Sequence, residues 1–437
     1  MSNFVHSVAL DKDKCKGCIN CIKRCPTEAI RVRNGKARII SERCIDCGEC
    51  IRVCPNHAKL ALYDPLSVLE RYEYTVALPA PALYGQFHNL DEIDIILEGL
   101  LNIGFDDVFP VASAAELVSD ATRKLMASGK LKRPVISSAC PAVTRLIRVR
   151  FPELIENILP LRAPVEVAAG LAKQRAVEKT GLSADKIGVI FISPCPAKRT
   201  AARMPLVMET SAIDAVVAIK EVYPKLLAVM RPQDDSDDGL NDSGRIGVGW
   251  GSSGGEAAAL LKESYLAADG IENVIKVLED LEDEKLGELD FIELNACAAG
   301  CVGGVLTVEN PYIARTRLKK LRKYLPVACN RLGDSIPEDM GFQNELEPMP
   351  IMQFDNDIRK SMEIMRSVSS FLATLPGLDC GSCGAPSCRA FAEDVVTGFA
   401  TESDCVFKYR DQLKSTGEGT YLPPPFRTPE KPGNDAT

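Results

Sequence analysis

The stretch "ELNACAAGCVGG", Glu293 to Gly304, places Cys297 and Cys301 four residues apart in a segment with almost no side-chain bulk. It completes "LDFIELNA", whose apolar run reads as a strand entering a turn. Two thiols one helical turn apart can face the same side. The chain holds 17 cysteines and three histidines in 437 residues. A disulfide scaffold is normally a short secreted chain, so this many thiols point to metal. Three histidines disfavour His-rich zinc or copper chemistry.

Upstream, Cys15, Cys18, Cys21 and Cys25 precede Pro26, and Cys44, Cys47, Cys50 and Cys54 precede Pro55. Each run is C-x2-C-x2-C-x3-C-P, the two-cluster ferredoxin spacing in which the fourth cysteine ligates the other cluster. A tight loop wraps three thiolates around one cube, and the fourth starts a helix directed at the next. Cys15, Cys18, Cys21 and Cys54 are expected on one [4Fe-4S] cube, and Cys44, Cys47, Cys50 and Cys25 on the second. Zinc knuckles are the competing reading. Gly17 and Gly48 let backbone amides approach sulfur. The copies form a repeat at an offset of 29 residues. Between them "AIRVRNGKARIIS" reads as a hairpin turning at Asn34-Gly35. Two adjacent cubes imply electron transfer.

From "YTVALPAPAL" onward, strands alternate with helices, predicting an α/β domain with mostly parallel sheets. "YTVALPA", "PVISSAC", "KIGVIFISPC" and "GRIGVGW" read as strand ends, and "VEVAAGLAKQRAVEKT" and "GEAAALLKESYLA" as helices. Sites in such folds collect at the carboxyl ends of strands. Cys140 and Cys195 stand there, each followed by proline. With Cys297 and Cys301 they make four thiols in turn-like settings. Spacing alone points to another [4Fe-4S] cluster and leaves zinc or inert core cysteines open. "GVGWGSSGG" matches G-x-G-x-x-G at Gly249, Gly251 and Gly254. A dinucleotide site also needs a strand–helix–strand unit and a ribose-binding acid, so a glycine-led active-site turn is the better reading.

"SSACPA" (Ser137 to Ala142), "SPCPAKR" (Ser193 to Arg199) and "ELNACAAGCVGG" resemble, in order and rough spacing, the three signature segments of iron-only hydrogenases. "GSSGGEAAAL" resembles the family's glycine-led helix start near the active site, and a preceding ferredoxin module is a common family arrangement. The resemblance spans roughly residues 1–355. It implies a [4Fe-4S] cube on four cysteines, one of which bridges to a two-iron subcluster bearing carbonyl, cyanide and dithiolate ligands. By motif matching Cys301 is the bridging thiolate, and Cys140, Cys195 and Cys297 complete the cube. Lys198 matches a lysine that hydrogen-bonds a cyanide ligand. An ammonium is a compact donor suited to an anion, although the residue taken alone also reads as a surface lysine beside Arg199. The implied reaction is reversible interconversion of H2 with protons and electrons, and the implied assembly partners are hydrogenase maturation proteins.

The pattern departs from the family at three places. Efficient members carry a proton-relaying cysteine where this chain has Ala139, and methionines where it has Ser193 and Asn295. General acid chemistry needs a titratable group within reach, so activity is expected to be slow. Hydrogen bonds from Ser193 and Asn295 are expected to tune the cluster. The combination resembles the subgroup proposed to sense hydrogen, with an unnamed redox or signalling partner. A non-enzymatic iron–sulfur electron-transfer or scaffold protein without the two-iron unit is the alternative. Lys198 with Cys301 favours the enzyme, and Ala139 leans the other way.

"NDIRKSMEIMRSVSSFLATL", Asn356 to Leu375, has helical spacing. Beyond it Cys380, Cys383, Cys388 and Cys405 form C-x2-C-x4-C-x16-C. Zinc is a fair reading of that spacing alone. The segment resembles a small [4Fe-4S] domain of electron-transfer and corrinoid-linked proteins, which implies a fourth cube serving as a second electron port or a redox-sensitive contact. Only Cys329 is left over, as a core or surface thiol. The expected domains are 1–74 (ferredoxin-like), 75–355 (hydrogenase-like), 356–410 (helix and iron–sulfur domain) and 411–437 (flexible tail). "RPQDDSDDGLNDSGR", Arg231 to Arg245, reads as a solvated acidic loop. A net charge of -8 argues against a nucleic-acid partner. No apolar run is long enough to span a membrane, and the start lacks a signal pattern, so a cytoplasmic protein is expected. A homo-oligomer is compatible with the sequence.

Overall fold

The strand Ile187–Ser193 is buried at every position, the pattern of a parallel strand covered on both faces. It pairs in parallel with Tyr74–Pro79 on one side and Ala215–Ala218 on the other, and Asp107–Val108 closes the sheet beyond Tyr74–Pro79. Ile190 lies opposite both Ala77 and Ala215. The helix Pro164–Thr180 packs on this sheet and against the helix Val111–Ala127. Fully buried alanines at 112, 115, 168, 169 and 172 let these elements approach closely.

A second parallel sheet has the order Tyr265–Asp269, Phe291–Asn295, Val135–Ile136. Parallel neighbours need a crossover, and the helix Ile271–Glu282 supplies it between the first two strands. The chain leaves the carboxyl ends of Val135–Ile136, Ile187–Ser193 and Phe291–Asn295 into the segments that carry Cys140, Cys195 and Cys297. The computed structural model describes residues 6–230, 239–349 and 357–415. The first half of the acidic stretch read at 231–245, and the tail from 416 onward, lie outside the described residues.

The N-terminal cysteine runs flank the expected hairpin, Ile30–Arg33 with Lys36–Ile39. Asn34 and Gly35 have φ of 52° and 69°, the left-handed pair that a two-residue turn requires. Val8–Leu10 and Lys59–Ala61 pair antiparallel. This module is tied to the α/β body by Asp46. Its carboxylate pairs with Arg145 at 3.1 Å and accepts from Thr200 Oγ1 and the Ser7 amide, each at 2.8 Å. Such a buried pair keeps its charges only when its hydrogen bonds are made.

Two elements differ from the sequence expectation. "GRIGVGW" forms a short helix, Arg245–Gly249, instead of a strand. Its glycine–aliphatic alternation imitates a strand, but Gly247 seats on the Val111–Ala127 helix, where an added Cβ would lie 2.0 Å from the Ala112 carbonyl oxygen. Glu116 holds the entry by accepting from the Gly244 amide at 2.7 Å. The second case is "GEAAALLKESYLA". It is helical only over Gly255–Ala259, and Tyr265–Asp269 is a strand. Leu261 takes a φ of 57°, which ends the helix before the strand begins.

The C-terminal part contains the helices Ile358–Leu372, Cys388–Val396 and Val406–Ser415. The last of these runs five residues past the expected boundary at 410. Phe371 and Phe391, with ring centroids 6.2 Å apart, join the first two helices.

Candidate active site

Cys140 and Cys195 each occupy the N-cap of a helix, Pro141–Arg150 and Pro196–Arg203. Proline suits the first helical position because the amide it lacks would have no intrahelical partner. Both thiols therefore sit at strand-to-helix junctions. Cys297 follows the strand Phe291–Asn295, and Cys301 opens the short 3-10 helix Cys301–Gly303.

These segments converge. Cys140, Cys195, Cys297, Cys301, Lys198, Ala139 and Asn295 all line one cavity. The small residues between Cys297 and Cys301 have a structural cause. Gly300, at φ 89°, presses on the glycine-led turn, where an added Cβ would lie 2.4 Å from the Ser253 amide nitrogen. Two backbone hydrogen bonds lace the turns together, Ser253 N to Ala299 O and Val302 N to Gly251 O, both at 3.0 Å. Gly303 and Gly304 similarly approach the carbonyl oxygens of Ala298 and Pro194.

The electrostatics suit a cationic cluster. Burial pushes the Cys195 thiol up to about 12, and neighbouring Cys297 and Cys140 add to the rise. Burial and the other three thiols also raise Cys301, while Lys198 opposes the shift. Bare thiolates would repel one another here, and metal is what lets such a set ionise together. The donor set and the cavity fit an iron–sulfur group.

Lys198 Nζ donates to the Ala139 carbonyl oxygen at 2.8 Å. Ala139 lines the cavity and carries no titratable group. Asn295 lines the cavity while its amide donates to Glu293 Oε1 at 2.7 Å. Ser193 is placed differently. It is fully buried, its hydroxyl donates to the Cys195 carbonyl at 2.9 Å, and it accepts from the Cys195 amide at 3.2 Å. It shapes the turn that presents Cys195.

The family model for the iron only hydrogenase large subunit, C-terminal domain, matches residues 73–305, more than half of the chain. The chain belongs to this iron-only hydrogenase family. A 4Fe-4S dicluster domain matches residues 7–55 and an Fe-S cluster family matches residues 375–407. Iron–sulfur domains thus stand on both sides of a hydrogenase-type domain. The NADP-reducing hydrogenase subunit HndD of Solidesulfovibrio fructosivorans is 26% identical over 259 residues, 47% of this chain and 44% of that protein. Iron hydrogenase 1 of Clostridium pasteurianum is 23% identical over 294 residues, 55% of this chain and 50% of that protein. The chain spans about half the length of these two relatives. A solved structure from work on oxygen inactivation of [FeFe]-hydrogenase through its H cluster 2Fe subcluster shares the fold. Its TM-score is 0.51 at 16% identity, covering 65% of this chain and 98% of that one. No helix among the described residues is long and apolar enough to cross a membrane.

Two groups at this hydrogenase-type site escaped the sequence reading. Glu256 lines the cavity, and its Oε2 accepts from Ser137 Oγ at 2.6 Å. Its Oε1 is buried with no hydrogen-bond partner. Burial, with Glu293 nearby, pushes this carboxyl up to about 8. Glu293 accepts from the amides of Gly254 and Ala257 and from Asn295, at 2.9, 2.8 and 2.7 Å. Burial raises Glu293 as well, and these bonds oppose that rise by favouring its anion. Glu256 lies inside the quoted "GSSGGEAAAL", where an acid beside a glycine turn was a usable signal. Arg52 is the second. Its guanidinium donates to the carbonyls of Gly303 at 2.8 Å and Cys47 at 3.3 Å and also hydrogen-bonds the Cys297 side chain. No local pattern reveals a partner 251 residues away.

Proposed function

We propose that this chain is an iron-only hydrogenase-type redox protein that slowly and reversibly interconverts H2 with protons and electrons, in the service of H2 or redox sensing. The convergence of four thiols and Lys198 on one cavity carries the reading. In it Cys140, Cys195, Cys297 and Cys301 hold a [4Fe-4S] cube, and Cys301 also holds a two-iron unit with carbonyl, cyanide and dithiolate ligands. When bound, that unit supplies the metal chemistry that makes and breaks the H–H bond.

The protein supplies position and protons. An ammonium has three N–H donors; Lys198 spends one on Ala139 and keeps others for an anionic ligand. Glu256 stores a proton beside the cavity, and Ser137 fixes the carboxyl through Oε2. Asn295 links the cavity wall to Glu293. The Cys15/Cys18/Cys21/Cys54 and Cys44/Cys47/Cys50/Cys25 sets hold two [4Fe-4S] cubes, and Cys380, Cys383, Cys388 and Cys405 hold a fourth. These carry electrons to or from a redox or signalling partner. Maturation proteins install the two-iron unit.

The deciding experiment is infrared spectroscopy of anaerobically matured protein before and after H2. Carbonyl and cyanide bands that shift with H2 are expected. Their absence, with maturation verified on a control hydrogenase, would leave an electron-transfer or scaffold protein. Ala139 gives a second expected outcome. A thiol at this position adds a proton carrier on the wall that already bears Lys198, so Ala139→Cys should raise H2 turnover by about 100-fold, the scale of a general acid–base group. H2 oxidation with a dye acceptor reads this, and an unchanged rate would show that proton delivery does not limit turnover.

A further inference from the structure

The Fe–S domain at the C-terminal end is docked on the dicluster module. Val32, in the hairpin, donates its amide to the Gly384 carbonyl at 2.8 Å. Arg33 Nη1 donates to the Cys383 carbonyl at 2.8 Å, and Lys23 Nζ to that of Pro386 at 3.0 Å. Ser387 Oγ donates to Glu28 Oε1 at 2.9 Å. A carboxylate clamp reinforces these bonds. Asp394 takes Arg31 Nε on both oxygens, at 2.7 and 3.0 Å, and Arg33 Nη2 at 2.6 Å. Arg43 pairs with Glu393 at 3.4 Å. The Arg31 and Asp394 side chains are only 7% and 10% exposed. A desolvated carboxylate held by two guanidinium groups in this way favours one docked arrangement.

The docked loops are those that carry thiols. Gly381, between Cys380 and Cys383, packs on Ile22, where an added Cβ would lie 3.4 Å from Ile22 Cδ1. Ile22 adjoins Cys21. Gly384 lies so close that an added Cβ would be 1.9 Å from the Val32 carbonyl oxygen. Val32 pairs across the hairpin with Ala37, whose amide donates to Cys15 Sγ at 3.5 Å. Both contacts lead to thiols of one set, Cys15 with Cys21. The other set carries the contacts to the α/β body. Gly48, between Cys47 and Cys50, meets Val305, and Arg52 spans from the Cys47 carbonyl to Gly303 and Cys297.

We infer that the iron–sulfur groups form a single series in which the C-terminal cube is the outer terminus. It exchanges electrons with the Cys15/Cys18/Cys21/Cys54 cube, which passes them through the Cys44/Cys47/Cys50/Cys25 cube to the Cys297 side of the active site. The C-terminal domain is thus an extension of the ferredoxin relay and not a separate port into the α/β domain. Each step is a one-electron exchange in which one cube is oxidised as its neighbour is reduced, with no bond or proton changed. Electrons enter from, or leave to, a one-electron redox protein at the C-terminal cube. The inference rests on the cluster assignments proposed above.

The test is electron paramagnetic resonance on the full chain, loaded with clusters and chemically reduced, with iron and sulfide content measured in parallel. The wild-type spectrum should show the C-terminal cube broadened by spin coupling and relaxed quickly by its neighbour. In Cys383→Ser/Cys388→Ser the ferredoxin signals should sharpen. Loss of a cube can unfold a small domain, so Glu393→Ala/Asp394→Ala, which retains every thiol, should weaken the same coupling at unchanged iron content. A wild-type spectrum equal to that of the cysteine variant plus a slowly relaxing, isolated cube would overturn the series while leaving the cluster assignments intact. Iron content showing no C-terminal cube in the wild type would overturn the assignment itself, and the series with it.

Discussion

Cys301→Ala should abolish H2-dependent activity and remove the carbonyl and cyanide infrared bands of the proposed two-iron unit, while most of the iron stays bound. The effect is large because nothing nearby can take over. Cys301 sits between Gly300, which is pressed on the Ser253 amide, and a turn whose Gly303 and Gly304 touch the carbonyls of Ala298 and Pro194. The backbone cannot move to bring up another donor without breaking those contacts. Lys198 is an ammonium and cannot ligate iron while protonated. The other proposed cubes use thiols elsewhere, so visible absorbance should fall by no more than the share of the central cube. Cys329→Ala is the matched control, since this thiol is exposed and outside the cavity lining. Infrared bands of wild-type intensity in Cys301→Ala would sink the proposed bridging role.

The cysteine runs were legible because ligand spacing is local: a loop that wraps a cube needs its thiols three residues apart. The strand ends that present Cys140, Cys195 and Cys297 were legible because buried parallel strands read as continuous apolar runs. Backbone-to-backbone packing was not. Gly247 in "GRIGVGW" lies in a helix against the Ala112 carbonyl, which leaves no room for a Cβ, and that neighbour lies far away in sequence. The same limit hid the orientation of Ser193. Its departure from the family pattern was visible, but its hydroxyl closes on the backbone of Cys195. Arg52 and the Asp394 clamp depend on how domains dock, and no local periodicity encodes that. The overlooked Glu256 is a different case, because its importance comes from the missing partner of one oxygen.

Glu256→Gln should lower H2 turnover by about 100-fold, the usual scale for losing a positioned acid or base, and should remove a pH step near 8. The carboxyl is raised from its ordinary value of 4.5 to about 8 by burial and by Glu293. Folded protein therefore keeps this proton between those values while unfolded chain releases it. The group's contribution to stability is full below about 4.5, declines as pH rises, and is lost above about 8. Glutamine keeps an acceptor for Ser137 and cannot titrate, so the variant should be less sensitive to pH in both rate and denaturation midpoint. The pair of readouts separates proton delivery from structure. A merely structural Glu256 would move the midpoint and leave the pH–rate profile with its step. A Gln variant that kept the step at 8 would show that the cavity's proton lies elsewhere. Glu256→Asp tests position, since its shorter side chain retains a titratable group but withdraws it from Ser137. Its turnover should fall between those of the wild type and Glu256→Gln, with the pH step still present.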